Sequence, residues 1–287
     1  MRLRDLGEWE LLRRLSAYAP PGQWDDDAAV LNEQSGRELV VNTDVLVDGV
    51  HFSDTTMAPS DLGWRAAAAN LSDLAAMGCT SVAGLTVGLV APGDTTWSWV
   101  EGVYGGLSEA LGRYGGSLLG GDCSSGNQRL LAITALGHLC RGQAIRRSDG
   151  RPGDWLICSG PHGLSRLGLA LLLDPRLGSG LSPTLQAQAI AAHRRPTPRL
   201  DVVSALHRSK PTALPWRVGG TDSSDGLTAA VAAIAATSGC GAQLRREQLP
   251  IHPELAQLPQ GESWCLGGGE DFELVMALDP AWAEALM

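Results

Sequence analysis

The segment "DLGWRAAAANLSDLAAMG" (residues 61–78) predicts a long, alanine-rich helix over residues 61–77 that ends at Gly78. Asp73 falls in the last turn or two of this helix, where a negative charge opposes the helix dipole, and aspartate is also a poor helix former. Asp73 is either an ordinary exposed helix residue or part of a site. A residue that breaks a local rule inside an otherwise regular helix more often marks a site.

The segments on either side alternate between strand and helix patterns and indicate an α+β fold with two mixed αβ domains. We expect the boundary in the Gly-, Arg- and Asp-rich stretch that begins at Cys140, so the predicted domains are residues 1–140 and 141–287. The predicted helices cover residues 8–18, 61–77, 95–113, 163–173, 183–193 and 226–237. The predicted strands are a buried strand at 38–47, then 82–90, a strand ending at Asp122, 127–139, 155–160 and a last strand that ends the chain within 267–278.

The composition restricts the class of protein. The net charge of −9 argues against a nucleic-acid partner, and no apolar run approaches the length of a membrane span. The six cysteines are scattered without a C-x-x-C pair, and the N-terminus lacks a signal-peptide core, so we expect a cytoplasmic protein with reduced thiols. Lys210 is the only lysine and there is no Walker motif, so arginine, backbone N–H groups or a metal ion must neutralise any bound phosphate.

The excess of acidic residues is concentrated in a few short segments, most of them next to glycine. Outside these segments the acidic and basic residues are nearly equal in number. If the segments converge, they form a cation site, and hard carboxylate oxygens suit Mg²⁺. The acidic residues are Asp25, Asp26, Asp27, Asp44, Asp48, Asp73, Asp122, Asp222, Asp225, Glu270 and Asp271.

Each segment also has an ordinary structural interpretation. In "VVNTDVLVDGVHF" (40–52), Asp44 lies inside apolar strand sequence, which fits a bulge, a strand end or a buried site, and His51 is either structural or functional. In "LLGGDCSSG" (118–126), Asp122 fits a hairpin turn or a glycine-lined ligand site.

The C-terminal half raises the same choice. In "GGTDSSDGL" (219–227), Ser224 or Asp225 could be the N-cap of the next helix, and the helix N-terminus could also bind a phosphate. The glycines of "GGGEDFELVMAL" (267–278) imply that a ligand or another backbone excludes side chains, unless the segment is a solvated turn. Arg147 either solvates the linker or binds phosphate oxygens.

Taken together and in order, the motifs "DDAAVL", "TDVLVDGVHF", "NLSDLAAMG", "GGD", "RSDGRPGD", "SDGL" and "GGGEDFEL" carry a resemblance. From about residue 8 to about residue 278, the chain resembles the thiamine-monophosphate kinase family of the aminoimidazole ribonucleotide synthetase-like superfamily. The resemblance implies two αβ domains, a homodimer formed through the sheet of the N-terminal domain, and ATP bound near that interface. It implies transfer of the γ-phosphoryl group of ATP to thiamine monophosphate, assisted by Mg²⁺ and compatible with K⁺, with no protein nucleophile or general base.

The resemblance also implies roles for individual residues. His51 and Glu270 would contact the thiamine end of the acceptor. The residues that would contact ATP are Tyr104, Gly121, Asp122, Arg147 and Ser224. The metal ligands would be Asp27, Asn42 through its backbone carbonyl, Thr43, Asp44, Asp73, Asp122, Asp222 and Asp225.

Two departures from the family pattern stand out. Asp25 occupies a position that is usually glycine, and family members continue for a few dozen residues beyond the equivalent of Met287, so we expect a C-terminal domain that is truncated at its end. Two other functions therefore remain open. One is an ATP-dependent enzyme of the same superfamily with a different acceptor, and the other is a non-catalytic protein that binds a magnesium nucleotide.

Overall fold

The computed structural model describes residues 1–19 and 35–287, except for the side chains of residues 7–9. Asp25, Asp26 and the predicted metal ligand Asp27 lie outside the described residues. The chain divides into two compact units. The first consists of Met1–Leu71 with Ser81–His138, and the second of Ser72–Thr80 with Leu139–Met287. The sequence predicted a single boundary after residue 140. It did not anticipate that Ser72–Thr80, which contains Asp73, groups with the second unit.

The first unit is built on a four-stranded sheet. Its helices and strands, including two elements that run on into the second unit, are α1 (Leu3–Leu15), β1 (Arg37–Val47), α2 (Pro59–Ala76), β2 (Ser81–Ala91), α3 (Trp97–Tyr114), β3 (Ser117–Ser125) and β4 (Leu130–Cys140). The strand order is β1-β4-β2-β3, and β2 pairs in parallel with β3 and antiparallel with β4. The predicted helix 61–77 is therefore confirmed as α2, with Asp73 in its last turn.

Small residues allow α2 to lie close to α3. The alanines of 66–68 are fully buried. A Cβ atom on Gly63 would lie 1.9 Å from the carbonyl oxygen of Val103, and one on Gly106 would lie 2.0 Å from that of Ser60. Glycine at these two contacts permits a backbone approach that any side chain would prevent.

On the central strands β2 and β4 of the first unit, buried residues alternate with partly buried ones. Leu131 and Ile133 of β4 are fully buried. On β1, in contrast, Leu39, Val41 and Val45 are 56%, 63% and 44% exposed. The prediction of a buried strand over residues 38–47 is therefore wrong. In the described unit β1 is an edge strand, and Leu46 is its one buried residue.

The second unit has a three-stranded sheet with helices on both faces. Its regular elements are β5 (Trp155–Cys158), α4 (Leu164–Leu173), α5 (Pro183–Arg194), α6 (Leu200–Ser209), β6 (Gly219–Asp222), α7 (Leu227–Thr237), α8 (Gly261–Gly267), β7 (Leu274–Leu278) and α9 (Pro280–Leu286). The strand order is β5-β7-β6, with antiparallel pairing throughout. The central strand β7 is buried at every residue.

Alternation along β7 assigns its side chains to two cores. Met276 packs with Val203 and Trp282 from α6 and α9, while Val275 packs with Val231 from α7. This two-sided burial explains why β7 reads as a continuous apolar run.

Three helices and one strand of the second unit were not predicted: α6, α8, α9 and β6. The expectation that a strand ends the chain is wrong, because α9 follows β7. The sequence contains a signal for α9, because aspartate followed by proline is typical of a helix start. In the structure Asp279 accepts a hydrogen bond from the N–H of Ala281 at 3.0 Å, and Pro280 occupies the first helical position. Over the ranges that the structure describes, no helix is both long and apolar enough to cross a membrane.

Candidate functional site

The predicted ligands Asn42, Thr43 and Asp44 lie together on β1. The side-chain amide of Asn42 donates to Oδ1 of the fully buried Asn70 of α2 at 3.1 Å. The hydroxyl of Thr43 lies 2.8 Å from that of Thr134 on β4, and Asp44 is exposed. The strand therefore carries an exposed carboxylate beside an anchored amide, rather than the buried carboxylate that apolar surroundings suggested.

His51 lies in the turn that follows β1. Its Nδ1 accepts a hydrogen bond from the N–H of Val47 at 3.0 Å, and the residue is exposed. A ring held in this way in an accessible turn is available to a ligand.

Asp122 lies inside β3 rather than in a hairpin turn. The strand continues to Ser125, and the hydroxyl of Ser124 donates to the carboxylate of Asp122 at 3.1 Å. The glycine before it is required by the sheet itself, because a Cβ atom on Gly121 would lie 2.0 Å from the carbonyl oxygen of Val87 on β2. The "GGD" motif therefore combines a close contact between two strands with an exposed carboxylate.

Tyr104 is a buried residue of α3. It is 2% exposed, and its ring lies 5.8 Å from that of Tyr18. Burial raises the pKa of the Tyr104 hydroxyl, so this group is a neutral hydrogen-bonding group.

In the second unit, Asp222 at the end of β6 is a buried carboxylate. It is 6% exposed, and its two oxygens accept hydrogen bonds from the hydroxyls of Ser72 at 2.8 Å and Ser224 at 3.0 Å. Burial raises the pKa of Asp222, against the opposing effects of these hydroxyls and of the Arg147 charge. A buried carboxylate that accepts hydrogen bonds from neutral groups favours a cation beside it.

Two predicted residues lie in the same part of the second unit. Asp73 follows Ser72 directly on α2, and Arg147 donates through Nε to the hydroxyl of Thr221 at 3.1 Å. Ser72 had no motif of its own in the sequence, but its position next to Asp73 was an available signal. The structure thus brings Asp222, Ser224 and the α2 terminus together within one unit.

The N-terminus of α7 is not capped by a side chain. The N-cap position is Gly226, with φ of +99°, which has no side chain of its own, and within the described part of the chain no other side chain bonds the first N–H groups of the helix. The interpretation of Ser224 or Asp225 as the N-cap is therefore wrong. Asp225 is exposed directly before the helix, whose first N–H groups are not taken up by a capping side chain.

Neighbouring backbone explains two of the three glycines before Glu270, whereas Gly267 has open space around it. A Cβ atom on Gly269 would lie 2.9 Å from the carbonyl oxygen of Ser224, and one on Gly268 would lie 2.5 Å from that of Trp264. The N–H of Glu270 donates to the same Ser224 carbonyl at 2.7 Å. Glu270 has φ of +60°, a conformation that non-glycine residues adopt only when the surroundings enforce it. Glu270 is therefore held directly against the Ser224 loop.

The next acidic residue in this motif has a role that the sequence did not reveal. Asp271 caps the N-terminus of α4, where its carboxylate accepts from the N–H groups of Gly163 at 2.7 Å and Ser165 at 2.9 Å. Burial raises the pKa of Asp271 to about 6, although these hydrogen bonds oppose the rise. No local pattern could indicate a cap that comes from more than a hundred residues further along the chain.

Glu273, the last acidic residue of the motif, forms a second long-range contact. Its carboxylate pairs with Arg199 at 2.5 Å and accepts from the hydroxyl of Ser159. Its backbone N–H donates to the hydroxyl of Ser223 at 3.2 Å, and its carbonyl accepts from the N–H of Ser223 at 2.8 Å. Hydrogen bonds therefore join the segment of residues 270–273 to the loop of residues 222–225.

The donor atoms available for a metal are carboxylate and hydroxyl oxygens, which suit Mg²⁺ better than a soft metal. Among the residues that the structure describes, no group of three or more His, Cys, Asp or Glu side chains is placed to hold a metal ion. The best fit for a cation in the second unit is the buried carboxylate of Asp222.

The chain matches two family domains in succession. Residues 25–139 match the AIR synthase related protein, N-terminal domain, and residues 151–287 match the C-terminal domain of the same family. The chain is 51% identical to the thiamine-monophosphate kinase of Prochlorococcus marinus over 286 residues, which cover 99% of this chain and 85% of that protein.

Two solved structures show the same similarity. The crystal structure of thiamine-monophosphate kinase from Stenotrophomonas maltophilia K279a superposes with a TM-score of 0.82 at 32% identity, covering 98% of this chain and 89% of that chain. A structure described as AaThiL complexed with AMPPCP and TMP superposes with a TM-score of 0.76 at 30% identity, covering 98% and 88%. The chain therefore belongs to the thiamine-monophosphate kinase family of AIR synthase related proteins.

Proposed function

We propose that this protein transfers the γ-phosphoryl group of ATP to the phosphate of thiamine monophosphate and so forms thiamine diphosphate and ADP. The observation that carries the proposal is the 51% identity to a thiamine-monophosphate kinase across 99% of the chain. The AaThiL complex with AMPPCP and TMP supports the same pairing of a nucleotide with a phosphorylated acceptor.

The second unit supplies groups suited to the phosphates of ATP. The N-terminus of α7 presents N–H groups that its glycine N-cap has no side chain to bond, together with the positive end of the helix dipole. Arg147 adds a permanent positive charge, and its hydrogen bond to Thr221 fixes its orientation. We assign Arg147 and Ser224 to ATP in this unit, and Tyr104, Gly121 and Asp122 to ATP in the first unit.

The oxygen-rich residues of both units are the proposed magnesium ligands. When bound, Mg²⁺ would neutralise phosphate charge and hold phosphate oxygens in place. In the second unit, Asp222 fits this role because it is buried and hydrogen-bonded to hydroxyls. The full proposed set is Asp27, Asn42, Thr43, Asp44 and Asp122 with Asp73, Asp222 and Asp225, and K⁺ is proposed as a further ion.

On the acceptor side, His51 and Glu270 are the proposed contacts to the thiamine end. Both are held by backbone hydrogen bonds, from Val47 to the ring of His51 and from Glu270 to Ser224. Holding a reactant in position is the main contribution that a protein makes to phosphoryl transfer. No protein nucleophile or general base is assigned, because the attacking phosphate oxygen is already ionised near neutral pH.

A homodimer is also part of the proposal. Leu39, Val41 and Val45 form an exposed apolar row on β1, and a row of this kind on a soluble domain usually marks an interface. A second copy of the same sheet would cover it. The cytoplasm is the proposed location, because both substrates and reduced thiols are found there.

The test is a substrate panel. Purified protein is incubated with ATP, Mg²⁺ and one acceptor at a time, and ADP and phosphorylated products are separated by chromatography. We expect ADP and thiamine diphosphate in equal amounts with thiamine monophosphate alone. Turnover with another acceptor only would support a different enzyme of the superfamily, and Mg²⁺-dependent ATP binding without turnover for any acceptor would support a non-catalytic protein.

A further inference from the structure

Several backbone hydrogen bonds hold the turn that carries His51. The N–H of Gly49 donates to the carbonyl of Phe52 at 2.8 Å, and the N–H of His51 donates to the carbonyl of Val47 at 2.9 Å. At the start of the turn, Asp48 donates from its N–H to the carbonyl of Arg129 at 3.0 Å. These bonds fix the backbone on both sides of the imidazole.

The hydrogen bond from Val47 also fixes the tautomer of His51. A backbone N–H can only donate, so the Nδ1 atom that receives it must carry a lone pair. The proton of the neutral ring then lies on Nε2. A proton on Nδ1 would bring two N–H groups face to face. The hydrogen bond from Val47 therefore leaves the Nε2–H of His51 as the donor that this turn presents.

Arg129, which directly precedes β4, holds the same turn in place. Its Nε donates to the carboxylate of Asp48 at 2.7 Å, and its two terminal nitrogens donate to both oxygens of Asp54 at 2.9 and 3.0 Å. Asp48 and Asp54 lie three residues before and three residues after His51. One guanidinium therefore ties together the two ends of the segment that carries the imidazole.

The guanidinium is itself held in place. It lies 5.0 Å from the ring centroid of the buried Trp99 and 5.9 Å from that of the buried Phe52, and the Arg129 side chain is 16% exposed. Lysine could not reproduce this arrangement, because only a planar fork can stack on a ring and bind two carboxylates at once.

We propose that Arg129 is a positioning residue, which holds the Asp48–Asp54 turn so that His51 presents its Nε2–H to the acceptor substrate. This inference rests on the proposed function, in which His51 contacts the thiamine end. It adds that the substrate atom opposite His51 accepts a hydrogen bond. It also adds that Arg129, which places His51, lies outside the set of predicted site residues.

The first test measures the tautomer without any substrate. The side-chain ¹⁵N shifts of His51 in the wild-type protein and in Arg129→Gln report which ring nitrogen carries the proton. We expect the Nε2–H tautomer alone in the wild type and a mixture of tautomers in Arg129→Gln. An unchanged single tautomer in the variant would overturn the proposal, and so would the Nδ1–H tautomer in the wild type.

The second test separates positioning from stability. For Arg129→Gln we expect the KM for thiamine monophosphate to rise about tenfold, with kcat and the KM for ATP unchanged within about twofold, since a uniform binding contact is weakened. In an Asp48→Asn, Asp54→Asn background, the same arginine substitution should add no further rise, because its partners are already neutral. A fall in kcat at constant KM, or an additive effect, would contradict the proposal.

Two controls complete the design. Arg113→Gln removes another arginine of the first unit that lies over an aromatic ring, 5.6 Å from the Tyr114 centroid, and should leave the acceptor KM unchanged. If Arg129→Gln does not fold, Arg129→Lys keeps the charge and should still raise the acceptor KM; a wild-type KM in that variant would overturn the proposal. If the wild-type protein forms no thiamine diphosphate, the proposed function is refuted. The ¹⁵N measurement still tests whether Arg129 positions His51.

Discussion

Replacing Asp271 by asparagine should change how the stability of the protein depends on pH. Burial raises the pKa of Asp271 from 3.8 to about 6. The folded state therefore keeps this proton between about pH 4 and pH 6, where the unfolded chain has already lost it. The resulting stabilisation is fully present below about pH 4 and is lost as the pH rises through 6. At 1.36 kcal/mol per pH unit, the loss amounts to about 3 kcal/mol.

His162 has the opposite effect over nearly the same range. It is fully buried, and burial lowers its pKa from 6.5 to about 4. The unfolded chain therefore takes up the proton first as the pH falls, so stability present above about pH 6.5 is lost toward pH 4, again by about 3 kcal/mol. In the wild type, Asp271 and His162 make nearly cancelling contributions to the pH dependence of the free energy of unfolding. The Asp271→Asn substitution leaves the contribution of His162 uncompensated.

The assay is urea unfolding, followed by circular dichroism at several pH values between about 4 and 7. Asparagine has one oxygen for the two N–H groups that Asp271 caps, so we expect a constant loss of about 1–3 kcal/mol that does not depend on pH. On top of it, the stability of Asp271→Asn relative to wild type should rise by about 3 kcal/mol from pH 4 to pH 7. A difference that stays constant, or that falls as the pH rises, would refute the reasoning.

Asp174 provides a control of opposite sign. Its hydrogen bond to Arg176 lowers the pKa of Asp174, so its contribution to stability is present at neutral pH and is lost as the pH falls. Relative to wild type, the free energy of unfolding of Asp174→Asn should therefore fall as the pH rises, whereas that of Asp271→Asn should rise.

Three further outcomes are expected. Asp73→Asn should lower kcat by about 10²-fold or more, since a charge that positions the reacting groups is lost, with an unchanged circular dichroism spectrum; retention of more than about a tenth of wild-type turnover would count against the metal role. Gly121→Ala should destabilise the protein by about 1–3 kcal/mol in thermal unfolding, because its Cβ atom would meet a carbonyl oxygen at 2.0 Å, while Gly120→Ala, with open space around it, should be tolerated. Val41→Lys should convert the proposed dimer to a monomer by light scattering, and an unchanged mass would exclude β1 from the interface.

The parts of the fold that the sequence predicted well are those with strong local periodicity. The helix α2 and its break at Gly78 follow from alanine content and a stop signal, and Asp73 was identified because it breaks the local rule. The burial of β1 was predicted wrongly, because the apolar residues of an edge strand that face outward have the same composition as those of a core strand.

The features that the sequence could not reveal depend on contacts between distant segments. The capping of α4 by Asp271 and the pairing of Glu273 with Arg199 join residues far apart in the chain. The glycines of the "GGGEDFEL" motif illustrate the intermediate case. The sequence indicated that side chains are excluded there. The structure identifies the backbone that excludes them at Gly268 and Gly269, near Trp264 and Ser224, and shows open space at Gly267.

The most direct measurement of the central claim is the formation of thiamine diphosphate from ATP and thiamine monophosphate, with Mg²⁺ present and after its removal by a chelator. We predict stoichiometric thiamine diphosphate and ADP with Mg²⁺, no product after chelation, and full recovery when Mg²⁺ is restored. Undiminished product formation in the chelated sample would contradict the claim that oxygen-bound Mg²⁺ neutralises the two phosphate-bearing reactants.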